Sequence, residues 1–320
     1  VGKSIIQTDD GGFVIAAQQD NRTIVVFKTD STLESCNNIF NNCMHDGGGT
    51  AERWGLQIDY PSGNVVVEEV IQTPDSGYVV LGTNMWVGNN HQGVVVKISN
   101  SGSVEWQRTY STAYRTAFYG IDNTHDGGFI VSGYERVSVT AFPYDESLFL
   151  KLDGEGNVIW EKTFNTNRND WPINIKTMAN GTFISAVKYY GEMEGSMYSS
   201  DIRLVNLDTD GNLLWSFDYT GEFDRDINAN HLSIAPDQNF LIVGWQEDAE
   251  SSQNFEGWAM KIGTDDIIIS NPDEPDEPDV PISDNYALSF DGINDYVSFG
   301  PSILSGSGDF SVSLLSLIHI

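Results

Sequence analysis

The sequence predicts an all-β fold, and three observations carry that prediction. First, an apolar strand, a tight polar turn and a second apolar strand recur five times. The copies are SIIQTDDGGFVIAA (4–17), EVIQTPDSGYVVLG (69–82), GIDNTHDGGFIVSG (120–133), NIKTMANGTFISAV (174–187) and LSIAPDQNFLIVGW (232–245). Second, the turn residues Asp10, Asp75, Asp126, Asn180 and Asp237 fall 65, 51, 54 and 57 residues apart. Third, each copy is followed by another alternating pair of segments, as in GVVVKISNSGSVEWQRTY (93–110), SLFLKLDGEGNVIWEKTF (147–164) and DIRLVNLDTDGNLLWSFDY (201–219). A period near fifty with four short strands per unit specifies a β-propeller of at least five four-stranded blades.

Each strand alternates in polarity with period two. The turns use Asp-Gly, Ser-Gly and Gly-Asn, which tolerate positive φ. The segment 23–40 reads as a divergent third-and-fourth strand pair, and GWAMKIGTDDIIIS (257–270) closes the series. Residues 41–66 depart from the repeat, and 55–70 reads as an extra hairpin. Trp106, Trp160 and Trp215 lie 54 and 55 residues apart, each four residues after a turn glycine (Gly102, Gly156, Gly211). A large flat ring recurring at one place in successive blades is most simply packing between blades.

Residues 1–270 form the propeller in this reading. Residues 271–284, NPDEPDEPDVPISD, alternate proline with acid and form an extended interdomain linker. Residues 285–320 begin a further β-domain too short to enclose a core, and its end, LLSLIHI, reads as severed or out of frame. Val1 stands directly before an inner-strand pattern, so the chain reads as a fragment and the lack of a signal peptide says nothing about export.

Composition narrows the partners. There are 46 acidic and 16 basic residues, a formal charge of −30. Nothing would neutralise phosphate, which argues against nucleic acid or an anionic membrane surface. No apolar run approaches membrane-span length, so no membrane insertion is expected. Cys36 and Cys43 share one Asn-rich loop and read as a local disulfide, with free thiols or metal binding as alternatives.

The motif Q-T-x-D-G-G-[FY]-[VI]-[VI]-x-G, followed by K-[IL]-[DN]-x-x-G-x-[VL]-x-W, resembles the propeller repeats of large bacterial secreted and cell-surface proteins. The match covers about residues 3–270. Its Gly-to-Trp part is similar to the tryptophan-docking motif of pyrroloquinoline-quinone-type propellers, although no residue here matches that family's cofactor ligands. YALSFDGINDYVSFG (286–300) is similar to the start of laminin-G-like, concanavalin-A-like jelly-roll domains, which often bind glycans, sometimes with calcium. These resemblances imply a secreted or surface location and a glycan or extracellular protein partner.

Three chemistries compete for the site. Glycoside hydrolysis needs converging carboxylates on the innermost strands. There, Asp122 is the one inner-strand Asp and Glu69 sits at a strand edge, which is not a pair. Calcium is suggested by LDGEGN (152–157), with Asp153 and Glu155, and by LDTDGN (207–212), with Asp208 and Asp210. The later bidentate Glu of a full calcium loop is missing, and the equivalent turn ISNSGS has no carboxylate, so plain hairpin turns are the competing explanation. The third is a set of arginines, Arg115, Arg168 and Arg225, placed 11 or 12 residues before the turn acid of three consecutive repeats. With Asp170, Trp171, Asp224 and Asp226 beside them, they form either a site for an acidic sugar or peptide carboxylate or a set of inter-blade ion pairs. The five histidines fall outside any nucleophile motif, and no glycine-rich loop leads into a helix. The sequence reads best as a non-catalytic recognition or display module without a cofactor. A glycan-processing hydrolase with its acids elsewhere and a structural spacer are the rivals.

Overall fold

A computed structural model of the chain describes residues 2–31, 53–87, 90–111, 114–136, 144–164, 169–190, 200–219, 227–247, 255–263 and 288–290. The described residues hold strands and turns with no helix. The chain divides into two compact units, Val1–Ser289 and Phe290–Ile320, and of the second only Phe290 is among the described residues.

Five blades of antiparallel strands follow one another. The first contains β1 (Gly2–Gln7), β2 (Phe13–Asp20), β3 (Thr23–Thr29) and β4 (Trp54–Asp59). The second is β5 (Asn64–Gln72), β6 (Tyr78–Val87), β7 (Asn90–Ile98) and β8 (Val104–Tyr110). The third is β9 (Arg115–Asn123), β10 (Phe129–Arg136), β11 (Asp145–Leu152) and β12 (Val158–Phe164). A single parallel pairing, His91 with Arg115, joins the second and third blades into one eight-stranded sheet. The fourth is β13 (Asp170–Thr177), β14 (Phe183–Tyr190), β15 (Ser200–Leu207) and β16 (Leu213–Tyr219). The fifth is β17 (Ile227–Ile234), β18 (Phe240–Glu247) and β19 (Phe255–Ile262), and the short β20 (Leu288–Phe290) follows them in the chain.

Two details differ from the sequence reading. The supposed extra hairpin at 55–70 is not an insertion: Trp54–Asp59 is the outermost strand of the first blade, and Asn64–Gln72 is the innermost strand of the second. The expected fourth strand within 23–40 is therefore supplied from beyond residue 52. Leu288–Phe290, within the segment expected to begin a further domain, forms the short strand β20. The linker 271–284, the rest of 285–320, and the cysteines Cys36 and Cys43 lie outside the described residues.

The core lies between blades. Each turn after an inner strand closes with the same pair of hydrogen bonds, as from Thr73 N–H to Gly77 O (2.9 Å) and Ser76 N–H to Thr73 O (2.9 Å). That turn delivers an aromatic residue at the start of the second strand, and the preceding blade's tryptophan rests on it. The ring centroids are 5.6 Å apart for Trp54–Tyr78, 6.1 Å for Trp106–Phe129, 6.3 Å for Trp160–Phe183 and 6.2 Å for Trp215–Phe240. Indole N–H groups then donate across the seam: Trp54 to Asn100 O, Trp106 to Gly154 O and Trp160 to Thr209 O, at 2.9–3.0 Å. The docking expected from the tryptophan spacing is thus present, and Trp54 adds a copy. Four apolar clusters among the described residues fill the four seams between consecutive blades. Leu241 and Val243 of the fifth blade stay 38% and 43% exposed, whereas Val14 and Ala16, their counterparts in the first, are fully buried.

Candidate functional site

The inner strands share one irregularity that shapes the axis. In all five, one residue bulges out of register at the same place: Lys3, Glu68, Tyr119, Ile173 and Asn230. A bulge redirects the side chains around it. Each bulge residue is half-buried or exposed.

The residue after the bulge acts as a staple to the next blade. Ser4 Oγ accepts the Val70 N–H at 3.1 Å, and Glu69 Oε2 accepts the Ile121 N–H at 2.9 Å. Asn174 accepts the Leu232 N–H at 3.1 Å and donates to Leu232 O at 2.8 Å, imitating a strand pairing with one side chain. At Gly120 there is no side chain to do this, and an added Cβ would meet the Asn174 Cα at 2.4 Å. Asp122, two residues on, accepts the Thr177 N–H at 2.7 Å instead.

Lys176 lies between the two acids. Its Nζ is 2.8 Å from Glu69 Oε1, and the charges of Glu69 and Asp122 both act on it. Burial works to lower the Lys176 pKa, and the two carboxylates outweigh it, so the ammonium is held above its ordinary range. Burial raises the Asp122 carboxyl above the usual range despite the pull of Lys176 and the Thr177 N–H. Glu69 and Asp122 therefore do converge, contrary to the expectation that one lone acid lines the axis. Lys176 comes from the fourth blade, 107 residues from Glu69, so no local pattern links the two.

The end of the axis at the start of the inner strands carries a second cluster. Asp145 accepts two bonds from Arg136, at 2.7 and 3.1 Å, and one from Trp171 Nε1 at 3.2 Å. Its own N–H donates to Asn169 Oδ1 at 2.8 Å. Lys188 Nζ stands 5.9 Å from the centroid of the Trp171 ring. Arg115 is paired across β9–β10 with Arg136, and Asp170 is buried. The structure thus brings Arg115, Asp170 and Trp171 to one end of the blades, with Arg136 and Asp145 as members the repeat spacing did not reveal. Arg168, Asp224, Arg225 and Asp226 lie outside the described residues.

The carboxylates considered for calcium sit in exposed hairpin turns. Asp153 Oδ1 accepts the N–H groups of Glu155 and Asn157, and its Oδ2 accepts Asn157 Nδ2. Asp208 repeats the pattern with Asp210 and Asn212. These bonds from the turn's own side-chain and backbone N–H groups hold both carboxyls below their usual range. Among the described residues no three His, Cys, Asp or Glu side chains gather as a metal cage would require.

Fold and axial staples together define a β-propeller repeat protein. No family model matches the chain, and no curated protein matches it. Among solved structures, a thermostable family-43 glycoside hydrolase aligns over 86% of this chain and 94% of its own, at 8% identity and a TM-score of 0.45. A virginiamycin B lyase from Staphylococcus aureus covers 82% and 92%, at 10% identity and 0.38. An alpha-L-arabinofuranosidase from Clostridium thermocellum covers 78% and 89%, at 10% identity and 0.35. Likenesses of this size carry no inference about activity.

Proposed function

We propose that the chain is a non-catalytic recognition module of a larger secreted or cell-surface protein, engaging a glycan or an extracellular protein. One observation supports this most: Glu69 and Asp122 are committed to holding blades together. Glu69 spends one oxygen on the Ile121 N–H and the other on Lys176, and Asp122 takes the Thr177 N–H. A glycosidase needs one carboxyl able to give a proton and another free to attack or to activate water. A carboxylate locked to a backbone N–H and an ammonium, as Glu69 is, suits neither role, and Asp122 gives one oxygen to the Thr177 N–H.

Contact is proposed at the Arg115–Trp171 end, where a rigid indole and the Arg115 guanidinium stand on strand ends, the Arg136 guanidinium being taken by Asp145. Planar guanidinium groups suit a carboxylate, and an anchored ring suits a sugar face. The formal charge of −30 argues against nucleic acid as the partner. A glycan array with the whole chain tests this reading, paired with a Trp171→Ala variant. Binding to a defined set of glycans, weakened about tenfold by the substitution, is expected. A blank array together with no captured protein partner would favour a structural spacer.

A further inference from the structure

We infer that the outward face of the fifth blade docks the first blade of a second copy of this chain, head to tail. In the first four blades, the residues four and six positions after the turn residue point to the following blade. Val79 and Leu81 of the second blade and Ile184 and Ala186 of the fourth are fully buried in this way. Leu241 and Val243 hold these positions in the fifth blade, where they stay 38% and 43% exposed.

The opposite face repeats as well. Five residues before the turn residue, Val70, Ile121, Ile175 and Leu232 are buried against the preceding blade. Ile5 is their counterpart in the first blade and is 47% exposed, with its strand partner Ile15 half-buried. Farther out on the same face, Val25 and Phe27 are buried, so the open part is the one nearest the inner strand. No apolar cluster among the described residues joins the first blade to the fifth.

The chain thus carries two open apolar faces of the two kinds that already fit each other at four seams. Within one chain these two faces do not meet, whereas a second copy can bring them together. Unlike, complementary faces on one molecule give a heterologous contact between copies. A hydrogen bond belongs to the same seam. The residue after each bulge reaches the next inner strand, as Ser4 accepts the Val70 N–H and Asn174 the Leu232 N–H. In the fifth blade that residue is His231, which is exposed, and an imidazole nitrogen can accept a bond. On a docked first blade the equivalent donor is the Ile5 N–H. The formal charge of −30 on each copy opposes the approach, so the contact should tighten as salt screens that repulsion.

Sedimentation of the whole chain over a concentration series tests this. Wild type is expected to associate reversibly, and more tightly as salt is raised. Ile5→Glu blocks one face, and Leu241→Glu with Val243→Glu blocks the other. Each variant alone should associate at least about tenfold more weakly than wild type. Mixed in equal amounts they should form a dimer and stop there, because each brings one intact face. A wild type that stays monomeric up to about 1 mM, association unchanged in either variant, or a mixture no more associated than its parts would overturn the inference. A monomer whose melting temperature falls in Ile5→Glu would instead place the fifth blade on the first blade of its own chain, and counts against it equally. Should the Glu variants fail to fold, Ile5→Ser and Leu241→Ser with Val243→Ser give the same mixing readout.

Discussion

Lys97 Nζ lies 2.8 Å from Asp75 Oδ2, pairing a lysine buried within its blade with a carboxylate at the surface. The same pair recurs as Lys28–Asp10, Lys151–Asp126 and Lys261–Asp237. In the fourth blade both partners are replaced together: Asn180 stands at the acid position and Asn206 at the lysine position. There, Asn206 donates to Thr182 Oγ1 at 3.2 Å and Asn180 accepts from the Thr182 hydroxyl at 2.8 Å. The turn needs a matched pair and not a particular charge.

Asp75→Asn alone should therefore destabilise the protein by about 1 kcal/mol, since it leaves the buried ammonium with Glu105, at 3.2 Å, as its remaining carboxylate. Asp75→Asn with Lys97→Asn should recover much of that loss, as coupled neighbours do. Urea midpoints of the two single variants and the double variant check this.

Acid should weaken the fold through the same pairs. Hydrogen bonds from Lys28 and Thr8 hold Asp10 at about 2. Burial works to raise Asp75, but Lys97, Thr73 and the Gly77 N–H hold it at about 2. Both lie below the unfolded value of about 3.9, so their contribution is complete above that value and is lost as pH falls towards about 2. Melting temperatures should drop across this window, and less steeply in Asp75→Asn than in wild type.

Glycines at the turns separate two costs. Gly127 has φ +83° and open space around an added Cβ, so Gly127→Ala should cost only the left-handed conformation, about 1 kcal/mol. Gly102 has the same φ, but a Cβ would meet Trp54 at 2.5 Å. Gly102→Ala should cost about 1–3 kcal/mol more, through the disturbed tryptophan seat. Chemical denaturation of the two variants compares them directly.

Ser76 occupies, at φ 64°, the left-handed turn position that Gly11, Gly127 and Gly181 fill in other blades. Ser76→Gly should raise stability by about 0.5–1 kcal/mol, less the added freedom of the unfolded chain. A higher melting temperature checks it.

The blades were legible in the sequence because one turn chemistry repeats: an acid, a left-handed residue and an aromatic at fixed offsets. Tryptophan docking followed from the spacing of Trp106, Trp160 and Trp215. Trp54 escaped notice because a long connection separates β3 from β4, although it stands 52 residues before Trp106. The axial site was less legible. A strand alternates faces with period two, and the shared bulge breaks that count at Glu68 and its equivalents, so Glu69 was misplaced to an edge. Nor does spacing reveal that Lys176 of one blade reaches Glu69 two blades earlier. Such contacts depend on how blades close around an axis, which no local pattern encodes.

Whether the axial acids hold structure or perform chemistry is decided most directly by analysing the products after prolonged incubation of the whole chain with the glycans it binds. Intact glycan is expected, with Glu69→Ala and Asp122→Ala lowering thermal stability because each removes a staple between blades. Released sugar that disappears in a folded Asp122→Asn variant would contradict this.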